Sequence, residues 1–166
     1  MKRYVIAALA LMLACAMGFQ AFTENAGDYE RAMDLMQQGD YLGAAQTFQS
    51  LSGYMDSNRY AMYCYAVVYA ERGEYEIAVT NLRSLTGLTG FLDSGQLSVY
   101  YEALKYESLE DYETAGSILE NISLYKDSAA RIASYPEKIN ARDYRKADAL
   151  EKDGYSTRRI ITPPLP

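Results

Sequence analysis

The chain contains no histidine and no tryptophan, and only two cysteines. Without histidine, the commonest general base and the commonest transition-metal ligand are both missing. Cys15 falls in the leader, so Cys64 stands alone once the leader is cleaved or lipidated. No intramolecular disulfide framework is then available. Cys64 is expected to be a small buried hydrophobe, with no neighbouring cation cluster to activate a thiolate. Positive charge is also scarce: 16 Lys and Arg face 22 Asp and Glu, for a formal net charge of −6. Nucleic-acid binding needs basic residues to neutralise phosphates, and this balance argues against it. It argues equally against charge-driven adhesion to anionic lipid headgroups. No phosphate-cradling glycine loop, EF-hand loop or cysteine cluster occurs. No catalytic residue, cofactor-binding residue or metal ligand is therefore assigned.

What is present begins with an export-like leader, residues 1–22. Lys2 and Arg3 precede an apolar run from Val5 to Leu13, the anatomy of a signal peptide. Three endings stay open. Met12-Leu13-Ala14-Cys15 resembles a bacterial lipobox, which makes Cys15 a candidate for lipidation. Ala14-Cys15-Ala16 also fits a cleavage site that would free the protein. Alternatively, the apolar character reaching Phe22 serves as an uncleaved anchor. Contact with a membrane is expected only through such a lipid or anchor.

From residue 25 a motif recurs. Gly39-Asp40-Tyr41 leads through Ala44, Phe48 and Leu51 to Tyr54-x-Asp56-Ser57. Gly73-Glu74-Tyr75, with Ala78, Leu82 and Leu85, leads through a longer loop to Phe91-x-Asp93-Ser94. Glu110-Asp111-Tyr112, with Ala115, Leu119 and Ile122, leads to Tyr125-x-Asp127-Ser128. The Tyr-x-x-Ala-x-x-x-large spacing is an amphipathic helical stripe. Gly39 and Gly73 are helix-closing glycines. Asp40, Asp56 and Asp93 are read as N-caps, with Gln96 completing a capping box at the last. Alanine at each repeated site implies close helix–helix approach.

The first helix of each unit precedes its motif, and the one from about Ser57 to Arg72 is apolar nearly all round. That predicts a helix buried by neighbours on both sides. After Asp127 the pattern loosens. Pro136 is expected to break, kink or restart a helix. Tyr144, Ala147, Leu150 and Gly154 suggest a partial fourth unit. Residues 156–166, ending in Pro163-Pro164-Leu165-Pro166, have no helical period and are expected to be disordered or extended.

Offsets of 34 residues separate Gly39 from Gly73 and Asp93 from Asp127. With helix–turn–helix units, this period resembles the tetratricopeptide repeat. Ala32, Ala66 and Ala103 match its small first-helix site, and Leu35, Tyr69 and Tyr106 its large one. Glu110 departs from the turn glycine, the family's tryptophan is missing, and Asp replaces proline at the boundaries. The resemblance implies an all-α solenoid over residues 25–155, with three full units and a partial fourth. It also implies a concave binding groove lined by first helices and no chemistry of its own. The Tyr-x-Asp-Ser form resembles exported or membrane-linked proteins of Gram-positive bacteria.

Tyr29, Tyr63 and Tyr100 occupy equivalent first-helix positions, with Tyr60 and Tyr101 beside them. They are the candidate binding face, an aromatic ladder for a peptide or sugar chain. The competing reading packs these rings in the core, the commoner fate of rings at helical spacing. Glu102 with Glu107, or Asp111 with Glu113, are the nearest thing to an acid/base pair. They are expected instead on solvated helix faces. The expected function is a non-catalytic protein-interaction scaffold at the bacterial cell envelope, lipid-anchored or secreted, with a protein or peptide partner. The alternatives are a glycan- or peptide-binding protein using the tyrosines, or a fragment of a longer repeat protein.

Overall fold

After the first helix, each regular element among the described residues begins where an Asp or Glu follows a left-handed residue. The computed structural model describes residues 24–87 and 90–161, those of 154–161 by their backbone alone. All regular elements among the described residues are α-helices. They are α1 (24–37), α2 (Tyr41–Ser50), α3 (Ser57–Glu71), α4 (Tyr75–Leu85), α5 (Ser94–Ser108), α6 (Tyr112–Glu120) and α7 (Ser128–Ile161). The leader, including Cys15, and residues 162–166 lie outside the described residues.

Two turn types alternate along the chain. The first closes α1, α3 and α5. Asp40 N donates to the Leu35 carbonyl at 2.9 Å, Glu74 N to Tyr69 at 2.9 Å, and Asp111 N to Tyr106 at 3.0 Å. This wrapped end requires a left-handed residue. Gly39 and Gly73 supply it at φ 84° and 78°, and Glu110 takes the same conformation at φ 58°. The departure at Glu110 is thus one of residue type only. Asp40 and Asp111 then cap α2 and α6, accepting from Gly43 N at 2.9 Å and Thr114 N at 3.1 Å.

The second turn is the Tyr-x-Asp-Ser boundary. Its x residue is left-handed in all three copies: Met55 at φ 49°, Leu92 at 50° and Lys126 at 49°. The serine amide closes the turn onto the aromatic carbonyl three residues back, at 3.0, 3.1 and 3.2 Å. Ser57, Ser94 and Ser128 are each fully buried. A larger side chain has no room there, which accounts for the repeated serine. Asp56 caps α3 with no side-chain hydrogen bond and instead sits 3.6 Å from Arg59. At the other two boundaries the aspartate also accepts from a tyrosine of the preceding first helix.

The chain divides into two compact units, through Gly95 and from Gln96 onward. In the first unit α2 packs on α3 and α3 on α4. Ala32, Ala44, Ala66 and Ala78 are fully buried, as are Phe48, Cys64 and Leu82. The alanines let adjacent helices approach while the larger residues fill the space between them. In the second unit α6 packs on α7, around the fully buried Ala103, Ala115 and Leu119. Neighbour-on-neighbour packing of successive helices within each unit is that of a helical-repeat array.

α7 corrects two expectations. Pro136 lies inside it without ending it, and the helix continues to Ile161, through residues 156–161. Proline removes one hydrogen bond of the helix ladder. Here α7 is held on both sides of that gap. Arg131 and Tyr135 bond to Glu107 before it, Lys138 bonds to Glu107 after it, and Arg142 bonds to Glu113. Tyr144 stands where Gly39, Gly73 and Glu110 end earlier first helices. The helix runs on through that position.

Candidate binding groove

The tyrosine column is the natural starting point, and it turns inward. Tyr63, Tyr100 and Tyr101 are only 9%, 7% and 8% exposed, and Tyr29 and Tyr60 are half-buried. Tyr63 donates its hydroxyl to Asp93 Oδ1 at 2.6 Å, and Tyr100 donates to Asp127 Oδ1 at 2.5 Å. Each tyrosine thus binds the aspartate that opens the next first helix. Tyr29 holds the equivalent position one unit earlier and feels the charge of Asp56. Burial raises its pKa first, with Tyr60 and the Asp56 charge adding to it. Its ring meets Phe48, Tyr54 and Tyr60 at 5.4, 5.9 and 6.0 Å. The column and the boundary aspartates are one structural device, with little ring surface left for a ligand.

An open groove lies on the other side of α3, within the first unit. Its volume is about 550 Å³. Asn58, Met62, Tyr65 and Tyr69 run along α3, Gln49 stands on α2 and Asn81 on α4, with Ala61 among them. Positions 58, 62, 65 and 69 follow the i, i+4, i+7, i+11 spacing of one helix face. Tyr65 donates to Gln49 Oε1 at 2.7 Å, which ties α3 to α2 across one wall. The Gln49 amide nitrogen and the side-chain amides of Asn58 and Asn81 have no hydrogen-bond partner among the described residues. Met62 is 38% exposed, although it sits in a helix expected to be buried all round.

No protein-family model, curated protein or solved structure matches this chain.

Of the α3 residues in the groove, Asn58, Met62 and Tyr65 are unrepeated, while Tyr69 keeps the large site shared with Leu35 and Tyr106. By repeat register, Asn58, Met62, Tyr65 and Tyr69 correspond to Glu24, Asp28, Arg31 and Leu35 in α1. They correspond to Gly95, Val99, Glu102 and Tyr106 in α5. A purely structural position would carry similar residues in every copy, as the alanines do. The expected groove is lined by first helices; in this one α3 lines the floor and second helices α2 and α4 add Gln49 and Asn81. The signal that could have found it is the surplus of apolar residues on α3, too many for one buried face.

The acidic pairs do not assemble a hydrolytic site. Glu107 is only 16% exposed and collects Arg131 Nη1 at 2.7 Å, Lys138 Nζ at 2.7 Å and the Tyr135 hydroxyl at 3.0 Å. This corrects its placement on a solvated face. Burial works to raise its pKa, but the bonds from Lys138, Arg131 and Tyr135 outweigh burial and hold it below the usual carboxylate range. A carboxylate held ionised is a poor proton donor. Glu113 is bound by Arg142 through both oxygens at 2.7 Å and drops to about 2. Among the described residues no three Cys, Asp or Glu side chains gather as metal ligands do. Cys64 is fully buried, and burial pushes its thiol up to about 12. Among the same residues, no helix is long and apolar enough to cross a membrane.

Proposed function

We propose that this chain is a non-catalytic scaffold that holds a protein or peptide partner in the α2–α3–α4 groove. The observation that carries the proposal is the contrast along α3. Repeated residues build the joints, while Asn58, Met62 and Tyr65 face an open groove and differ between copies. The repeats themselves are tetratricopeptide-like, three units with α7 beginning a fourth, on the strength of their 34-residue period and small–large pattern. A scaffold of this kind presents side chains on a rigid frame, which suits recognition without chemistry.

A selection from a displayed random-peptide library tests the groove. Peptides enriched on the wild-type protein are expected to lose binding to an Asn58→Ala/Asn81→Ala variant of unchanged helicity. Enrichment that survives this double substitution would place the binding surface elsewhere. No enrichment at all would remove the scaffold proposal.

Lys2, Arg3, the apolar run and Met12-Leu13-Ala14-Cys15 support export to a bacterial envelope, with lipid on Cys15. Expressed in a Gram-positive host, the wild type is expected to incorporate labelled fatty acid and Cys15→Ala to incorporate none. Equal incorporation would exclude Cys15 as the lipid site.

A further inference from the structure

The groove has a chemistry that narrows its occupant. None of its lining residues carries a charge, in a chain where 23% of residues are charged. Phenols are its only titratable groups. An acidic or basic peptide therefore finds no counter-charge there. Nor is the groove the apolar trough that seats an amphipathic helix, because Gln49, Asn58 and Asn81 bring carboxamides to it. What it offers is two tyrosines one helical turn apart, one methionine, and amide donors that no protein acceptor uses.

We infer that the α2–α3–α4 groove binds an uncharged proline-rich segment in the polyproline II conformation. This rests on the scaffold proposal above and names its partner class. A polyproline II strand makes no internal hydrogen bonds, so its carbonyls are free acceptors. The Asn58, Asn81 and Gln49 amide groups are free donors. Proline rings dock on aromatic-lined grooves, and the segment is pre-ordered, so little entropy is lost on binding. The dimensions agree. Tyr65 and Tyr69 are four residues apart on α3, about 6 Å along the axis. A polyproline II strand rises about 3.1 Å per residue, so one x-Pro step covers about the same distance. The Tyr65–Gln49 bond holds one ring of the pair in place before any ligand arrives.

A capped oligoproline peptide with a fluorescent label is the probe, and a capped glycine–serine peptide of equal length is the control. Fluorescence anisotropy on the full chain is expected to detect oligoproline and not the control. The affinity is expected to change by less than about twofold between low and high salt, since no charges are screened. Asn58→Ala/Asn81→Ala is expected to weaken binding about tenfold, two modest hydrogen bonds together. Both residues lie outside the core, and matching denaturation curves will show that the variant folds. Oligoproline binding no better than the control overturns the inference, as does binding indifferent to the double substitution. If library peptides without proline bind and are lost in the double variant, the scaffold proposal stands and the proline-rich partner falls. If a neutral oligosaccharide alone binds, and is lost in that variant, a glycan replaces the peptide in both proposals.

Discussion

Replacing Phe48 by alanine is expected to lower the unfolding free energy by about 3–5 kcal/mol, the cost of emptying a large aromatic site. Phe48 is fully buried. Its ring stacks on Tyr60 at 5.1 Å and meets Tyr29 edge-on at 5.4 Å. Tyr60 in turn meets Phe91 edge-on at 4.8 Å. This cluster joins α1, α2 and α3 to the turn before α5, so the vacated space opens where several segments converge. Such a loss is a large share of the 5–15 kcal/mol of a typical domain. Urea unfolding measures it directly. Cys64 supplies a second readout, because its buried, high-pKa thiol reacts only when the first unit opens. Labelling by a thiol reagent should be slow in wild type and much faster in Phe48→Ala. The opposite error in volume at the neighbouring small site, Ala44→Leu, is expected to cost about 1–3 kcal/mol by overpacking. Wild-type stability in both variants would contradict the packing described for α2.

The second large effect is expected at Glu107. Removing one partner of a buried ion pair typically costs about 3–5 kcal/mol. Arg131 and Lys138 remain 28% and 39% exposed, so water recovers part of that. Arg131 also keeps Asp127 at 3.0 Å. Glu107→Gln is therefore expected to cost about 2–3 kcal/mol at pH 7 after discounting for screening. The pH dependence has a definite sign. The folded-state pKa of Glu107 lies below its unfolded value of about 4.3. Its contribution is complete above that unfolded value and is lost as pH falls through the folded one. Asp127 behaves alike: burial opposes, but bonds from Tyr100 and Arg131 hold its carboxyl low. The stability gap between wild type and Glu107→Gln should then shrink steadily below about pH 4. A gap as wide at pH 3 as at pH 7 would show that the charge of Glu107 contributes nothing.

Much of the helical framework could be read from spacing. Ala44, Ala78 and Ala115 were identified as contact sites and are fully buried. Gly39 and Gly73 were identified as helix ends and are left-handed. Such features are legible because they are local. A helix end depends on a few consecutive residues, and a periodic stripe marks the buried face whatever covers it. The second role of Asp93 was hidden for the same reason. Acid before a helix reads locally as a cap, yet Asp93 accepts from Tyr63, 30 residues earlier. Glu107 looked like a surface carboxylate, because its partners Arg131, Tyr135 and Lys138 lie a repeat away.

The amino-acid sequence by itself determined the all-helical character, the repeating joints and the sites of close packing, since each follows from short-range backbone and side-chain preferences. Tertiary structure decided which tyrosines are mortar and which are available. Tyr63 and Tyr65 are two residues apart on one helix, and no local preference distinguishes them. The turn of the helix sends Tyr63 to the aspartate of the next boundary and Tyr65 into the groove beside Gln49. Tertiary structure likewise carried α7 past Pro136, because bonds to Glu107 and Glu113 on both sides offset one missing backbone hydrogen bond.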